Sequence, residues 1–288
     1  MRVLITGASG FLGSALVRGL AVAGHAVVAL LRERSDDHRL LPLPPGVSVV
    51  RCADTAAVRQ AIADARPDVL VHTACNYGRH GESFAAIADT NLGFGLAVLD
   101  AAIAAGVPHF VNTDTVLDRR TNAYALSKKQ FAEWAVWLAE QGRITVTNVL
   151  LQHMYGPFDD PSKFSTHVLR SCHANVESLA LTPGQQQRDF IHIDDVVSAY
   201  ACLLAPAGAG WRDVEVGTGD APTLEAFVRL VHRLTGSQTR LDFGAVPYRT
   251  GEAMCFVADT TALRALGWRP RYSLEAGLTQ TIAMEFPR

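Results

Sequence analysis

The sequence predicts an α/β fold, a doubly wound parallel sheet with a smaller C-terminal α+β lobe. Apolar strand-like runs alternate with helical patterns through the first half of the 288 residues. Such alternation means β-α-β units with helices on both faces of a parallel sheet. The runs are apolar throughout, as strands covered on both faces must be. Glycines join the first run directly to the first helical pattern, which marks a turn where the backbone must approach something closely.

The first strand is Arg2 to Thr6, and its helix runs from Leu12 to Ala23. Between them stands Gly7-Ala8-Ser9-Gly10-Phe11-Leu12-Gly13, a GxxGxxG spacing. A pyrophosphate reaches the N–H groups of a helix N-terminus only where no Cβ intervenes, and the positive end of the helix dipole favours the anion. The segment therefore reads as a Rossmann-type dinucleotide-binding turn, with Gly7, Ser9, Gly10, Phe11, Leu12 and Gly13 at the cofactor. The second strand, Ala26 to Leu31, runs into Arg32-Glu33-Arg34. NAD-preferring sites place an acid at this strand end for the ribose 2′-OH, and leucine stands there instead. A guanidinium of Arg32 or Arg34 can grip a 2′-phosphate, so NADP(H) is preferred over NAD(H), with Glu33 as the opposing feature.

Val47 to Val50 is the third strand, after a surface loop over Leu41 to Pro45. A helix over Ala56 to Ala65 leads to Val69 to Thr73, a helix over Thr90 to Ala105 leads to Phe110 to Asn112, and Tyr124 to Gln141 leads to Val146 to Leu151. After Tyr155-Gly156-Pro157 the rhythm breaks, and the chain returns to the sheet at Val214 to Val216. This gives a dinucleotide-binding domain over 1–151, its sheet completed by about 213–217, and a lobe over mainly 152–288 for substrate. Open sheets take ligands beyond the carboxyl ends of their strands, so the lobe is expected to close over that edge.

The apolar share of 49% and net charge of −2 belong to an ordinary globular chain and imply no nucleic-acid partner. The five cysteines are scattered without CxxC spacing, so neither a disulfide framework nor a metal site is expected. No uninterrupted apolar stretch reaches membrane-spanning length and no signal-peptide pattern opens the chain, which points to the cytoplasm. There is no GxSxG elbow, HExxH pair or phosphate P-loop.

Tyr124-Ala125-Leu126-Ser127-Lys128 puts a phenol and an ammonium four residues apart on one helical face. A fixed cation, together with the positive charge of an oxidised nicotinamide, can lower a tyrosine pKa from roughly 10 by several units, which would poise Tyr124 for acid-base work near neutral pH.

With these motifs the chain resembles the extended short-chain dehydrogenase/reductase family of nucleotide-sugar epimerases, dehydratases and reductases. The resemblance runs nearly end to end, through Asp54, His72-Thr73-Ala74-Cys75, Asn91, Tyr155-Gly156-Pro157, Arg188-Asp189-Phe190-Ile191-His192-Ile193-Asp194-Asp195 and Leu266-Gly267-Trp268-Arg269-Pro270. It departs at Cys75, where alanine is usual, and at His153, where asparagine is. It implies Tyr124 as proton donor, Lys128 on the nicotinamide ribose, Asp54 at the adenine, and His72, Thr73, Ala74 and Asn91 at or supporting the cofactor. The third catalytic group is a hydroxyl: counting from the strand start at Phe110 selects Thr115, whereas matching the Thr-Asp pair of sugar 4,6-dehydratases selects Thr113. Thr115 is preferred because the strand fixes depth into the site. No glutamate follows either hydroxyl, which argues against water elimination.

Within the family the likeness is strongest to CDP-paratose and CDP-abequose synthases, through Tyr77-Gly78-Arg79-His80, the segment from Tyr155 to Asp160 with Lys163-Phe164, and Gln186 to Phe190. That implies NADPH-dependent reduction of the 4-keto group of a CDP-linked 3,6-dideoxyhexose. Arg188 and Arg249 are then the diphosphate contacts, with Tyr77, Arg79, His80, His153, Lys163 and Phe164 around the sugar nucleotide. The alternatives are a C4 epimerase that recycles bound NAD, and a non-catalytic NADP-binding redox sensor. Relatives pair the helices equivalent to Thr90–Ala105 and Tyr124–Gln141 into a homodimer, and the Ala/Leu-rich faces here fit that.

Overall fold

The computed structural model describes residues 1–206 and 208–287. It divides into two units, Met1–Leu151 with Val197–Val214, and Gln152–Val196 with Glu215–Arg288. The segment Val197–Val214 thus joins the first unit, although the sequence reading left most of it in the second.

The first unit is built from β1 (Arg2–Thr6), α1 (Phe11–Val22), β2 (Ala26–Arg32), β3 (Val47–Cys52), α2 (Thr55–Ala65), β4 (Val69–His72), α3 (Phe84–Ala88), α4 (Gly95–Ala104), β5 (His109–Thr115), α5 (Ala123–Glu140) and β6 (Thr145–Leu151). The sheet has seven strands, in the order Trp211–Val216, β6, β5, β4, β1, β2, β3. β1 through β6 pair in parallel. The order reverses between β1 and β4, whose ends meet at Thr6 and His72, and such a switch point is where doubly wound sheets bind ligands. Below it lies a core of Leu4, Leu70, Val98, Phe110, Phe131 and Val146, each fully buried.

Two elements differ from the sequence reading. β5 extends to Thr115, three residues past Asn112. The polar run Asn-Thr-Asp-Thr looks like a loop, but its buried side chains bond across the sheet: Asn112 donates to Asn148 at 2.7 Å, and Asn148 to Asp114 at 3.2 Å. The helix expected over Thr90 to Ala105 begins earlier, at α3, where Ser83 caps it by accepting from Ala86 N at 3.2 Å. It then passes through a π-helical turn at Asp89–Phe94 before α4. Together Phe84–Ala104 make a helical stretch of 21 residues, which by length and composition alone is apolar enough to cross a bilayer. In this fold α4 packs on α2 and α5, and the buried Asn91 is held by side-chain hydrogen bonds.

The second unit has short parallel strand pairs, His153–Tyr155 with Phe190–His192, Ser178–Leu181 with Arg240–Phe243, and Gln187–Arg188 with Cys255–Phe256. Helices Phe164–His173, Leu224–Thr235 and Leu274–Glu285 contribute to one core containing Val168, Phe227, Val231 and Leu278. Asp189, fully buried, ties the loops together by accepting from Thr218 N and Oγ1, Gly219 N and Ala258 N at 2.7–3.2 Å. A Cβ on Gly217 would stand 2.5 Å from that carboxylate, so only glycine fits beside it.

Candidate active site

The glycine turn sits at the switch point. Gly7 adopts φ +68°, and a Cβ there would lie 2.6 Å from Ala74 N, while one on Gly13 would lie 2.1 Å from Gly7 O. These two glycines are required by packing of the turn on itself and on the β4 loop. Gly10 alone faces outward, with only Gly7 O within reach of a Cβ, at 3.3 Å. It begins α1 with no side-chain cap and no acid in the first turn, which leaves a helix N-terminus suited to a phosphate. Leu12 is buried, whereas Ser9 and Phe11 are half-buried. Arg32 and Arg34 are exposed beyond β2, and exposed Asp54 caps α2 by accepting from Ala57 N at 2.8 Å. The donor set at the turn fits a dinucleotide.

The β4 loop corrects two expected cofactor contacts. His72 is fully buried, packs against the rings of Phe94, Phe110 and Phe131, and shares a 2.8 Å hydrogen bond with Thr6 Oγ1. Burial, with Lys128 adding to it, pushes this imidazole down to about 3, so it is a neutral core group supporting the strand end. Asn91 is also fully buried; its Oδ1 accepts from Asn76 N at 2.6 Å, and its Nδ2 donates to Asn76 O and Ser127 Oγ at 2.8 and 2.9 Å. The π turn aims this amide at both the β4 loop and α5, which gives Asn91 a positioning role. Thr73 Oγ1 donates to Thr6 O at 2.7 Å, and Ala74 is half-buried against Gly7.

On α5, capped by Asn122, Tyr124 is half-buried and Lys128 only 1% exposed. The Tyr124 ring lies 4.9 Å from that of Tyr77, which in turn carries the Arg79 guanidinium at 4.6 Å. Burial raises the phenol well above its ordinary value; Cys75 and Asp114 add to the rise, while Thr115 and Arg79 oppose it. Without a nicotinamide beside it, the phenol loses more by desolvation than it gains from neighbouring cations. Burial likewise pulls Lys128 down, against the pull of Cys75 and Asp114. A phenol that keeps its proton is a ready proton donor to a carbonyl oxygen.

The two candidate hydroxyls differ in company. Thr113 Oγ1 is 2.7 Å from the Tyr200 hydroxyl, two residues deeper along β5. Thr115 is fixed by its neighbour Asp114, whose Oδ1 accepts from Thr115 N at 2.7 Å and whose Oδ2 pairs with Lys129 at 2.9 Å. Lys129 also donates to Thr115 O at 2.6 Å. This Asp114–Lys129 brace escaped the sequence reading, although both residues lie beside the motifs that were read.

In the second unit, Arg188 is 6% exposed, pairs with Glu252 at 2.6 Å and lies 5.0 Å over the Phe256 ring. Its guanidinium is therefore already engaged, and Glu252, 64 residues away, is a partner that no local pattern indicates. Lys163 pairs with buried Asp159 at 2.9 Å. His153 lies between the Phe190 and Phe256 rings, 6.0 and 6.1 Å away, and burial with nearby Arg188 and Lys163 lowers it to about 4. Phe164 is partly exposed, with its ring 6.0 Å from Phe227. Arg249 and, in the first unit, His80 are exposed.

The profile of the NAD dependent epimerase/dehydratase family matches residues 3–217. The chain belongs to that family. CDP-abequose synthase of Salmonella typhimurium is 30% identical over 295 residues, covering 97% of each chain. UDP-glucose 4-epimerase of Mycolicibacterium smegmatis is 27% identical, covering 98% of this chain and 97% of its own. Among solved structures, the UDP-glucose 4-epimerase of Thermotoga maritima with UDP-glucose matches with a TM-score of 0.87 at 23% identity, covering 99% of this chain and 98% of that one. The Thermus thermophilus UDP-glucose 4-epimerase with NAD gives 0.86 at 23% identity, covering 100% and 99%. At that identity the structural likeness speaks for the fold.

As a member of the epimerase/dehydratase family, the chain is a nicotinamide-dependent enzyme of the extended short-chain dehydrogenase/reductase type. A bound nicotinamide supplies hydride transfer. The turn from Gly7 to Gly13 would hold its pyrophosphate, and Tyr124 with Thr115 would handle the proton.

Proposed function

We propose that the enzyme reduces the 4-keto group of a nucleotide-linked deoxyhexose with NADPH, converting CDP-4-keto-3,6-dideoxyglucose to a CDP-3,6-dideoxyhexose for bacterial surface polysaccharide. The observation that carries the chemistry is the Tyr124 phenol, on α5 one turn from the buried Lys128 and raised by burial. It holds its proton at neutral pH and gives it to the alkoxide that forms at C4. Thr115 hydrogen-bonds the same oxygen, with Thr113 as the alternative hydroxyl, and Lys128 orients the nicotinamide ribose. Arg188 and Arg249 hold the diphosphate, and Tyr77, Arg79, His80, His153, Lys163 and Phe164 contact the sugar nucleotide. The CDP linkage is supported by the 30% identity to CDP-abequose synthase across 97% of the chain.

Arg32 and Arg34 support NADP(H) over NAD(H). A homodimer through α4 and α5 is supported by Phe84, Trp134 and Trp137, exposed by 82%, 50% and 54% on α3 and α5. A cytoplasmic location goes with this reading. The second reading is a C4 epimerase with retained NAD, favoured by the 27% identity to a UDP-glucose 4-epimerase.

The test is a panel of CDP-, UDP-, dTDP- and GDP-linked 4-keto sugars with NADPH. The proposal predicts the highest kcat/KM for the CDP compound; a higher value for another base removes the CDP assignment and leaves the ketoreductase. Light scattering should give the dimer mass for the enzyme and the monomer mass for Trp137→Glu.

A further inference from the structure

We propose that Arg51 is a positioning residue that sets cofactor preference, by holding the loop after β2 so that it presents guanidinium groups and not carboxylates to the ribose 2′ position. The proposal rests on the NADPH reading above. Arg51 stands on β3 in register with Leu31, at the end of β2. Its Nη1 donates to Glu33 O and Ser35 O, each at 3.0 Å, and its Nη2 to Asp37 Oδ2 at 2.5 Å. One side chain thus covers two carbonyl oxygens and neutralises one acid, all of which would repel a dianionic phosphate.

The rest of the loop is arranged to the same effect. Asp36 is taken by His38 Nδ1 at 2.8 Å. Glu33 has its backbone fixed by donation to Cys52 O at 3.0 Å. Arg18, on α1, pins the far end by donating to the carbonyls of Arg39, Leu41 and Pro42 at 2.7–3.2 Å. Arg32 and Arg34 are exposed, and among the described residues no carboxylate forms a salt bridge with either. The loop therefore spends Arg51 and Arg18 on its own backbone and on Asp37, and leaves two guanidinium groups for an incoming anion, with the exposed Glu33 carboxylate as the one acid between them. The Arg51–Asp37 pair is itself partly exposed, with side chains 38% and 34% accessible, so its loss should cost little stability.

Dissociation constants for NADPH and NADH, measured on the full chain, test this. Arg51→Ala should lower the NADPH:NADH preference about tenfold, the loss of roughly one charge-assisted contact. NADH binding should stay within about twofold and thermal stability should hold, because only the 2′ environment changes. Arg51→Lys should fall between, since an ammonium can pair with Asp37 but cannot span both carbonyls. Adding Asp37→Asn to Arg51→Ala should restore part of the preference by removing the freed carboxylate. An unchanged ratio in Arg51→Ala, with the ratio collapsing in Arg32→Ala/Arg34→Ala, overturns the role of Arg51 and leaves the NADPH reading intact. An unchanged ratio in Arg32→Ala/Arg34→Ala overturns that reading itself.

Discussion

Lys128 in the first unit and Arg188 in the second are both buried cations, 1% and 6% exposed, yet they are kept in opposite ways. Among the described residues no carboxylate pairs with Lys128; the nearby Asp114 is held by Lys129 instead. Arg188 is matched by Glu252, and its neighbour Lys163 by Asp159. A buried ammonium without a counter-ion costs several kcal/mol, so a fold retains one where chemistry uses it. A buried ion pair costs less to keep, but an anionic ligand must displace its carboxylate before the cation is free. The first unit thus keeps a buried ammonium without a paired carboxylate, and the second holds its buried cations in pairs that an anionic ligand would have to exchange.

The largest effect should come from the first unit. Tyr124→Phe should lower kcat by at least about a hundredfold with nearly unchanged cofactor binding, because only the proton donor is lost. Turnover within a few-fold of the parent would place the donor elsewhere. Arg188→Ala should act on binding, raising KM for the nucleotide sugar by roughly ten- to a hundredfold, as for one charged hydrogen bond, with a smaller change in kcat. Its melting temperature should also fall, because Glu252 is left without its partner. A KM that does not move would mean that the Arg188–Glu252 pair is purely structural. Thr115→Val should cost about tenfold in kcat and Thr113→Val less, since Thr115 ends β5 whereas Thr113 Oγ1 is engaged by the Tyr200 hydroxyl at 2.7 Å. The reverse ranking would transfer the catalytic hydroxyl to Thr113.

The smallest effect concerns pH. His72 titrates at about 3 in the folded chain and near 6.5 unfolded, so below pH 6.5 the unfolded state binds the extra proton. Its contribution is full above that pH and is lost as pH falls toward 3, by about 1.4 kcal/mol per unit. Urea unfolding between pH 6 and 4 should show this slope, reduced in His72→Phe; an equal slope in both would assign it to other groups. Over neutral to mildly alkaline pH, ketone reduction should stay flat, because the raised phenol keeps its proton.

The parallel α/β sheet and the helix carrying Tyr124 and Lys128 were legible because they rest on local patterns: Gly7 to Gly13 between strand and helix, and apolar runs alternating with helical ones. The π turn around Asn91 was not, since its cause is an amide reaching Asn76 and Ser127, 15 and 36 residues away. The end of β5 was hidden for the same reason: its polar residues look solvated until Asn148 and Lys129 are placed beside them. The burial of Tyr124 was not legible either, because spacing reports a nearby cation but says nothing of desolvation. Arg188 was singled out as a phosphate candidate, but not its engagement by Glu252, which only the folded chain brings close.

The most direct test follows the hydride. With NADPH deuterated at the transferred C4 position and CDP-4-keto-3,6-dideoxyglucose as substrate, the account predicts one NADP⁺ formed per turnover and one deuterium at C4 of the sugar, read by mass spectrometry and NMR. Interconversion of C4 epimers with no net NADPH oxidation and no deuterium in the sugar would contradict it and assign the site to epimerisation.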